Sequence, residues 1–220
     1  VFPSADIYGG INGLYDFGHL GTLMKENIKN AWKKSIQTSQ GDTFFLDGSL
    51  IGPHAMWVAS GHVENFHDPM VDCTNCKKRF RTDDDNINLE KSCPSCGVKA
   101  WTDIRDFNLM FQTQLGAVLD ESSKAYLRPE TAQTIFVQFK NILSTSRTKL
   151  PFGVAQIGKA FRNEITPKQF LFRMREFEQM EMEYFCHPSQ SRQIFQKWVQ
   201  FCHSFLLELG MKSDSIRLNE

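Results

Sequence analysis

Two C-x-x-C pairs, Cys73-x-x-Cys76 and Cys93-x-x-Cys96, lie in this chain with residues 77–92 between them. Four thiols at that spacing converge on one tetrahedral ion, and zinc is the metal such a set favours over disulfides. Each pair can grip one edge of the tetrahedron. Gly97 directly follows the second pair, where a residue free to take positive φ lets backbone N–H groups point at sulfur. Lys77, Lys78, Arg79, Arg81, Lys91 and Lys99 are placed to offset the charge of four thiolates. Four protein ligands close the site, so the expected role of the zinc is structural; the competing reading is a set of reduced structural cysteines. Cys186 and Cys202, in apolar surroundings, read as core thiols.

The remaining limits come from length and charge. At 220 residues the chain can form one large domain with a small insert, and a second full domain would be cramped. Formal net charge is zero, so any contact with nucleic acid must be local. No segment reaches the roughly 20 apolar residues that span a bilayer, and the first residues, VFPSADIYGG, lack a basic and apolar leader pattern. The expectation is a cytoplasmic protein with no membrane partner. A first residue of Val and a last residue of Glu220 suggest a piece of something longer.

Periodicity organises the rest. Leu20, Leu23, Met24, Ile28, Ala31 and Trp32 predict an amphipathic helix, followed by a break at Gln40 and Gly41 and a short strand at 43–46. Residues 72–99 change character and read as an inserted module. Pro129 predicts the start of a helix with Ala132, Ile135, Phe136, Phe139, Ile142 and Leu143 on one face. Residues 154–164 and 172–185 predict two strands joined by a turn at Pro167. A last helix, capped by Ser189 and stopped by Gly210, carries Ile194, Phe195, Trp198, Val199, Cys202, Phe205, Leu206 and Leu209 inward. Helices and strands alternate without βαβ regularity, so the expected class is α+β.

The two strands carry FRNEITPKQFLFRMREFEQMEME. Alternation in extended strands puts Arg162 with Glu164 on one face, and Arg173, Arg175, Phe177, Gln179, Glu181 and Glu183 together on another. Guanidinium groups bind phosphate, an aromatic ring stacks on a base, and a carboxylate accepts from an ammonium. A solvated, salt-bridged hairpin explains the same pattern. Glu176 and Glu178, set among Met174, Met180 and Met182 on the other face, need partners that this plain reading does not supply.

FRNE, a loop and FRMREFEQMEMEYF resemble motif 2 of the class II aminoacyl-tRNA synthetases. DIYGGINGLYDFGHLG, WVASGHVENFHDPMVDC, AYLRPETAQTIFVQFKN and LPFGVAQIGKAFRNEITP, in this order, are similar to the homodimeric glycyl-tRNA synthetases of that class. The resemblance implies an antiparallel sheet flanked by helices, formed by residues 1–71 and 100–220, with residues 72–99 as a zinc-binding insert. It implies ATP, glycine and tRNA(Gly) as partners, Mg²⁺ with the ATP, and a homodimer of the parent through motif 1, from the Leu20–Trp32 helix to Pro53. Arg162, as the catalytic residue, would hold the α-phosphate; Glu164 would contact the adenine amino group, Phe177 would stack on the ring and Arg173 would reach the γ-phosphate. Asn163, Phe172, Met174, Arg175 and Glu176 complete the implied ATP set. Glu130 and Glu181 would receive the glycine ammonium, with Arg81, Phe177, Glu178, Gln179 and Met180 nearby.

The pattern departs from the family in lacking motif 3, the glycine-rich segment whose arginine covers the other face of adenine, and in lacking the anticodon-binding domain. The expectation is therefore an activity of the full-length parent, with this chain inactive alone. Asp6 stands where the family usually has Glu. Two other classes compete: a zinc-containing RNA-binding module using Lys77, Lys78, Arg79 and Arg81, and a synthetase-like accessory protein without catalysis. None of the six histidines falls in a ligand or triad pattern, so none is assigned chemistry.

Overall fold

The computed structural model describes residues 1–39, 43–118, 120–167 and 169–218. In chain order the strands and helices are β1 (Phe2–Pro3), β2 (Tyr15–Asp16), α1 (His19–Ser39), β3 (Thr43–Leu46), β4 (Ile51–Pro53), α2 (His54–Ala59) and α3 (His62–Asn65). Next come β5 (His67–Asp72), β6 (Arg79–Arg81), β7 (Arg105–Asn108), β8 (Gln112–Gln114), β9 (Lys124–Leu127), α4 (Ala132–Ser146), β10 (Phe152–Phe161), β11 (Glu176–Phe185) and α5 (Ser191–Glu208). They fall into two compact units, one made of 1–49, 130–159 and 177–220, the other of 50–129 and 160–176. The expected break at Gln40 and Gly41 lies outside the described residues.

In the first unit β10 is the central strand, with β11 on one side and β3 on the other. β3 runs parallel to β10, Phe44 opposite Val154, so this sheet contains one parallel pairing within a fold whose other described pairs are antiparallel. Ile135 of α4 and Phe152 and Val154 of β10 are fully buried, with Phe44, Leu46, Phe139, Ile142, Leu143 and Phe185 packed around them. Phe139 stacks on Phe152 at 5.5 Å between ring centroids and tilts against Phe185 at 4.6 Å, geometry that adds to area burial.

Helix α4 begins three residues after Pro129, with Thr131 as its N-cap. Proline sits before the cap here instead of in the first turn, and the preceding Arg128 N–H donates to Leu50 O at 2.9 Å, continuing the pairing of β9 with β4 by one residue. On α5 only Phe205 is buried; Phe195 is 68 % exposed and Cys202 is exposed, so the expectation of a core thiol fails for Cys202. Gly210 ends that helix as expected, at φ 92°.

The second unit holds two three-stranded antiparallel sheets, β4-β9-β8 and β6-β5-β7. Trp57, Met110 and Tyr126 form its core, with Met56, Val63 and Phe66 against them. Gly52 has no substitute, since a Cβ there would lie 2.5 Å from Met56 Cε and 2.6 Å from Trp57 Nε1.

Candidate functional site

β5 and β6 pair with Asp72 opposite Arg79, and the turn between them presents Cys73 and Cys76. Cys73 N–H donates to Lys78 O at 2.9 Å and Lys77 N–H donates back to Cys73 O at 2.8 Å. The second pair repeats this: Cys93 N–H donates to Val98 O at 3.0 Å and Gly97 N–H to Cys93 O at 2.8 Å. The four sulfurs lie within 4.8 Å of one another, with Cys73 and Cys96 3.6 Å apart and Cys76 and Cys93 3.8 Å apart. A zinc ion with thiolates at about 2.3 Å needs tetrahedral edges of about 3.8 Å, so the cluster fits a four-thiolate metal site. Hydrogen bonds from the Asn75 side chain and the Val98 backbone lower the Cys96 thiol to about 6.

Three of the cations expected to offset the sulfur charge are already engaged. Arg79 Nε donates to Asp72 Oδ1 at 2.7 Å, and Lys99 Nζ to Glu90 at 3.3 Å. Arg81 grips Asp83 with Nε at 2.9 Å and Nη2 at 2.7 Å, and its Nη1 lies 3.1 Å from the buried Asp68. Arg105 also donates to Asp72, at 2.6 Å. Arg81, expected to reach substrate, is thus held by Asp68 of β5 and by Asp83 just past β6.

The loop after β10 carries Arg162, Glu164, Arg173 and Arg175. β10 stops at Phe161 and β11 starts at Glu176, so Arg162–Glu164 and Phe172–Arg175 are loop residues, not strand residues as the sequence pattern predicts. Their backbone groups have other partners: Arg162 N–H donates to Arg175 O at 2.9 Å, Asn163 N–H to Leu109 O at 2.8 Å and Glu164 N–H to Arg162 O at 2.7 Å. Arg162 Nε donates to Pro129 O at 3.2 Å while its guanidinium lies 5.6 Å from the centre of the Phe66 ring, which fixes its plane. Arg175 Nε donates to Glu164 O at 3.1 Å, and Arg173 Nε lies 3.8 Å from Glu164 Oε2. Gln169 and Phe170 both take left-handed backbone, φ 63° and 56°, and Phe172 stands 92 % exposed. Three arginines and an exposed ring in one constrained loop can bind a phosphate chain and stack on a base. Met174 is half-buried and Glu176 exposed.

In the first unit the acids gather. Thr131 donates to Glu181 Oε2, and Glu183, two residues along β11, is pushed above the usual carboxylate range by burial and then by the charges of Glu181 and Glu130. Gln179, on the same strand face, keeps a buried Oε1 with no donor among the described residues. Acceptors crowded in this way suit an ammonium ion. Phe177 is half-buried near the start of the strand. Glu178 belongs to the opposite face, where it pairs with Lys25 and, at 3.3 Å, Lys29 of α1. Met180, by alternation on the Glu178 face, is 38 % exposed. The structure therefore brings together Glu130, Glu181 and Glu183 and separates Glu178 from them. Thr131 and Gln156, both fully buried, belong to the same cluster and carry no sequence signal of their own.

Residues 111–219 match the model of the tRNA synthetase class II core domain (G, H, P, S and T). The chain is 48 % identical to a glycine–tRNA ligase of Geobacillus kaustophilus, over 100 % of the chain and 53 % of the relative. It is 50 % identical to that of Borrelia hermsii, over 100 % and 49 %. The chain thus spans about half the length of the curated relatives it matches. Among solved structures, a Giardia lamblia prolyl-tRNA synthetase in complex with prolyl-adenylate aligns at a TM-score of 0.59 and 14 % identity, over 89 % of this chain and 31 % of that one. The RNA-binding domain of a Cryptosporidium parvum threonyl-tRNA synthetase aligns at 0.57 and 19 %, over 86 % and 36 %. These two likenesses concern the fold.

Proposed function

This chain belongs to the glycine–tRNA ligase family of class II tRNA synthetases, and on that premise we propose that its parent activates glycine with ATP and transfers it to tRNA(Gly). The observation that carries the glycine reading is the gathering of Glu130, Glu181 and Glu183, a set of carboxylates whose mutual repulsion a bound ammonium relieves. Arg162 holds the α-phosphate, Arg173 the γ-phosphate and Glu164 the adenine amino group. Asn163, Phe172, Met174, Arg175 and Glu176 line the nucleotide, with Mg²⁺ carried on the triphosphate. Phe177, Gln179 and Glu181 border the glycine.

Activation needs no protein nucleophile. The glycine carboxylate attacks the α-phosphorus and pyrophosphate leaves, while the enzyme positions both and neutralises charge. Glycine is selected by excluding a methyl group, since a pocket cannot reward its absence. Zinc in the four-cysteine cluster braces residues 72–99 as an insert in a catalytic core of 1–71 and 100–220. The parent works as a cytoplasmic homodimer through α1, where Leu20, Leu23 and Met24 are 60 to 70 % exposed. No described helix is long and apolar enough to cross a membrane.

The test is glycine-dependent exchange of pyrophosphate into ATP by the whole protein. Wild type should exchange, Arg162→Ala should lose at least about 100-fold, and this chain alone, without motif 3, should be inactive. No exchange in the wild type would sink the reading. The RNA-module alternative is weakened by the engagement of Arg79 and Arg81 with carboxylates.

A further inference from the structure

Thr131 is the N-cap of α4, yet its side chain makes no capping hydrogen bond. An N-cap threonine ordinarily turns its oxygen toward an N–H of the first helical turn. Here Thr131 has helical backbone, φ −95° and ψ −14°, in place of the extended backbone of a capping residue, and its hydroxyl donates to Glu181 Oε2. A local rule broken inside a well-packed core points to a role beyond stability.

The backbone of Thr131 is held as firmly as its side chain. Its carbonyl accepts from Gln156 Nε2 at 2.9 Å and from Thr134 Oγ1 at 3.0 Å. Gln156 is fully buried and its hydrogen bonds to Gly48, Thr131 and Thr134 agree on one amide orientation: Oε1 accepts from Gly48 N–H at 2.7 Å, and Nε2 donates again to Thr134 Oγ1 at 2.8 Å. Flipping the amide would set two donors against each other at Gly48 and two acceptors at the Thr131 carbonyl. Gly48 closes the series, because a Cβ would lie 2.6 Å from Thr134 Oγ1 and 2.7 Å from Gln156 Oε1.

We infer that Thr131 and Gln156 are positioning residues for the Glu181 carboxylate, fixing one oxygen so that the other is presented to the substrate ammonium. The inference rests on the proposed role of Glu181 as a glycine-binding carboxylate. Neither residue touches substrate. Gln156 fixes the Thr131 backbone, and Thr131 fixes the Glu181 rotamer. Without them the carboxylate must be ordered by the ligand itself, a cost felt in glycine affinity and not in ATP affinity.

The test measures pyrophosphate exchange by the whole protein for Thr131→Val, Thr131→Ser, Gln156→Leu and the Thr131→Val/Gln156→Leu double variant. Thr131→Val is expected to raise KM for glycine about tenfold, as for a lost hydrogen bond to a charged group, with KM for ATP within about twofold. Thr131→Ser keeps the hydroxyl and should restore glycine KM to within about twofold of wild type. Gln156→Leu should act in the same direction, and the double variant should cost less than the product of the two. Should Gln156→Leu not fold, Gln156→Glu keeps the Gly48 acceptor, removes the donors and takes its place. Exchange by wild type with an unchanged glycine KM in Thr131→Val overturns the positioning role alone. A parallel rise in both KM values overturns it too, as the mark of general loosening. A wild type without exchange overturns the glycine reading and this inference with it.

Discussion

Lys77 and Gly97 occupy matching positions in the two cysteine turns. Each follows the second cysteine of its pair, each has left-handed backbone at φ 60° and 74°, and each donates its N–H to the first cysteine's carbonyl at 2.8 Å. Only Gly97 is a residue for which that conformation is free of strain. Lys77→Gly should therefore stabilise the zinc-loaded protein by a few tenths to about 1 kcal/mol. Gly97→Ala, which meets no atom within 4 Å, should cost about 1 kcal/mol through its backbone alone. Urea unfolding of both variants checks this, and effects of the same sign would defeat the argument.

Metal removal should act locally. One zinc per chain is expected, with four of the six cysteines protected from a thiol reagent until a chelator is added. Trp101 reports the event: it bridges Cys73, packs edge-on against Phe80 at 5.6 Å and donates Nε1–H to Lys91 O at 3.0 Å. Its emission should shift as the four thiols become reactive. Six thiols reacting together in the untreated protein would mean that no ion braces the cluster.

What the sequence reveals here depends on how local the cause is. The cysteine turns are legible because three-residue spacings decide them, and α1 and α5 because 3.6-residue periodicity does. The strand ends next to Arg162 and Arg175 are not. Asn163 gives its N–H to Leu109, a partner far away in the chain, so no window around it contains the reason that β10 stops. The bond from Thr131 to Glu181, and that from Gly48 to Gln156, join four separate segments by residue types that are ordinary in any core. Glu183 was within reach, two residues along the strand face from Glu181; only its burial beside two further acids marks it out.

Glu183 predicts a pH dependence. Burial, then Glu181 and Glu130, raises its folded pKa above 4.5, so the folded state holds this proton more tightly than the unfolded chain. The carboxyl is neutral and without effect below about pH 4.5, and its ionisation lowers stability as pH rises through the folded pKa. Glu183→Gln should accordingly raise Tm at pH 7 and leave it unchanged at pH 4. Thermal melts at the two pH values decide the matter; an equal gain at both would refute the electrostatic cause.

Phe152 carries the core of the first unit. It is fully buried and touches the rings of Phe44, Phe139 and Phe185 at centroid distances of 6.0, 5.5 and 5.5 Å. Phe152→Ala leaves a cavity among rings anchored on β3, α4 and β11 that cannot all close in on it. A loss of about 3 to 5 kcal/mol is expected in denaturant titration. A loss below about 1 kcal/mol would show that the site collapses freely.

Glu178 separates the strand's two faces functionally. Burial alone would raise its pKa, but Lys25 and Lys29 outweigh that and hold it below the usual 4.5. The pairing therefore stabilises the fold above about pH 4.5, and this contribution disappears as pH falls through the lowered folded pKa. Glu178→Gln should cost about 1 kcal/mol at pH 7, the modest value of a half-screened ion pair, and nothing in strong acid. Its glycine KM in pyrophosphate exchange should match wild type, because the side chain lies on the α1 face, whereas Glu181→Gln should raise that KM about tenfold or more. A rise in glycine KM for Glu178→Gln with stability unchanged would return this residue to the glycine pocket.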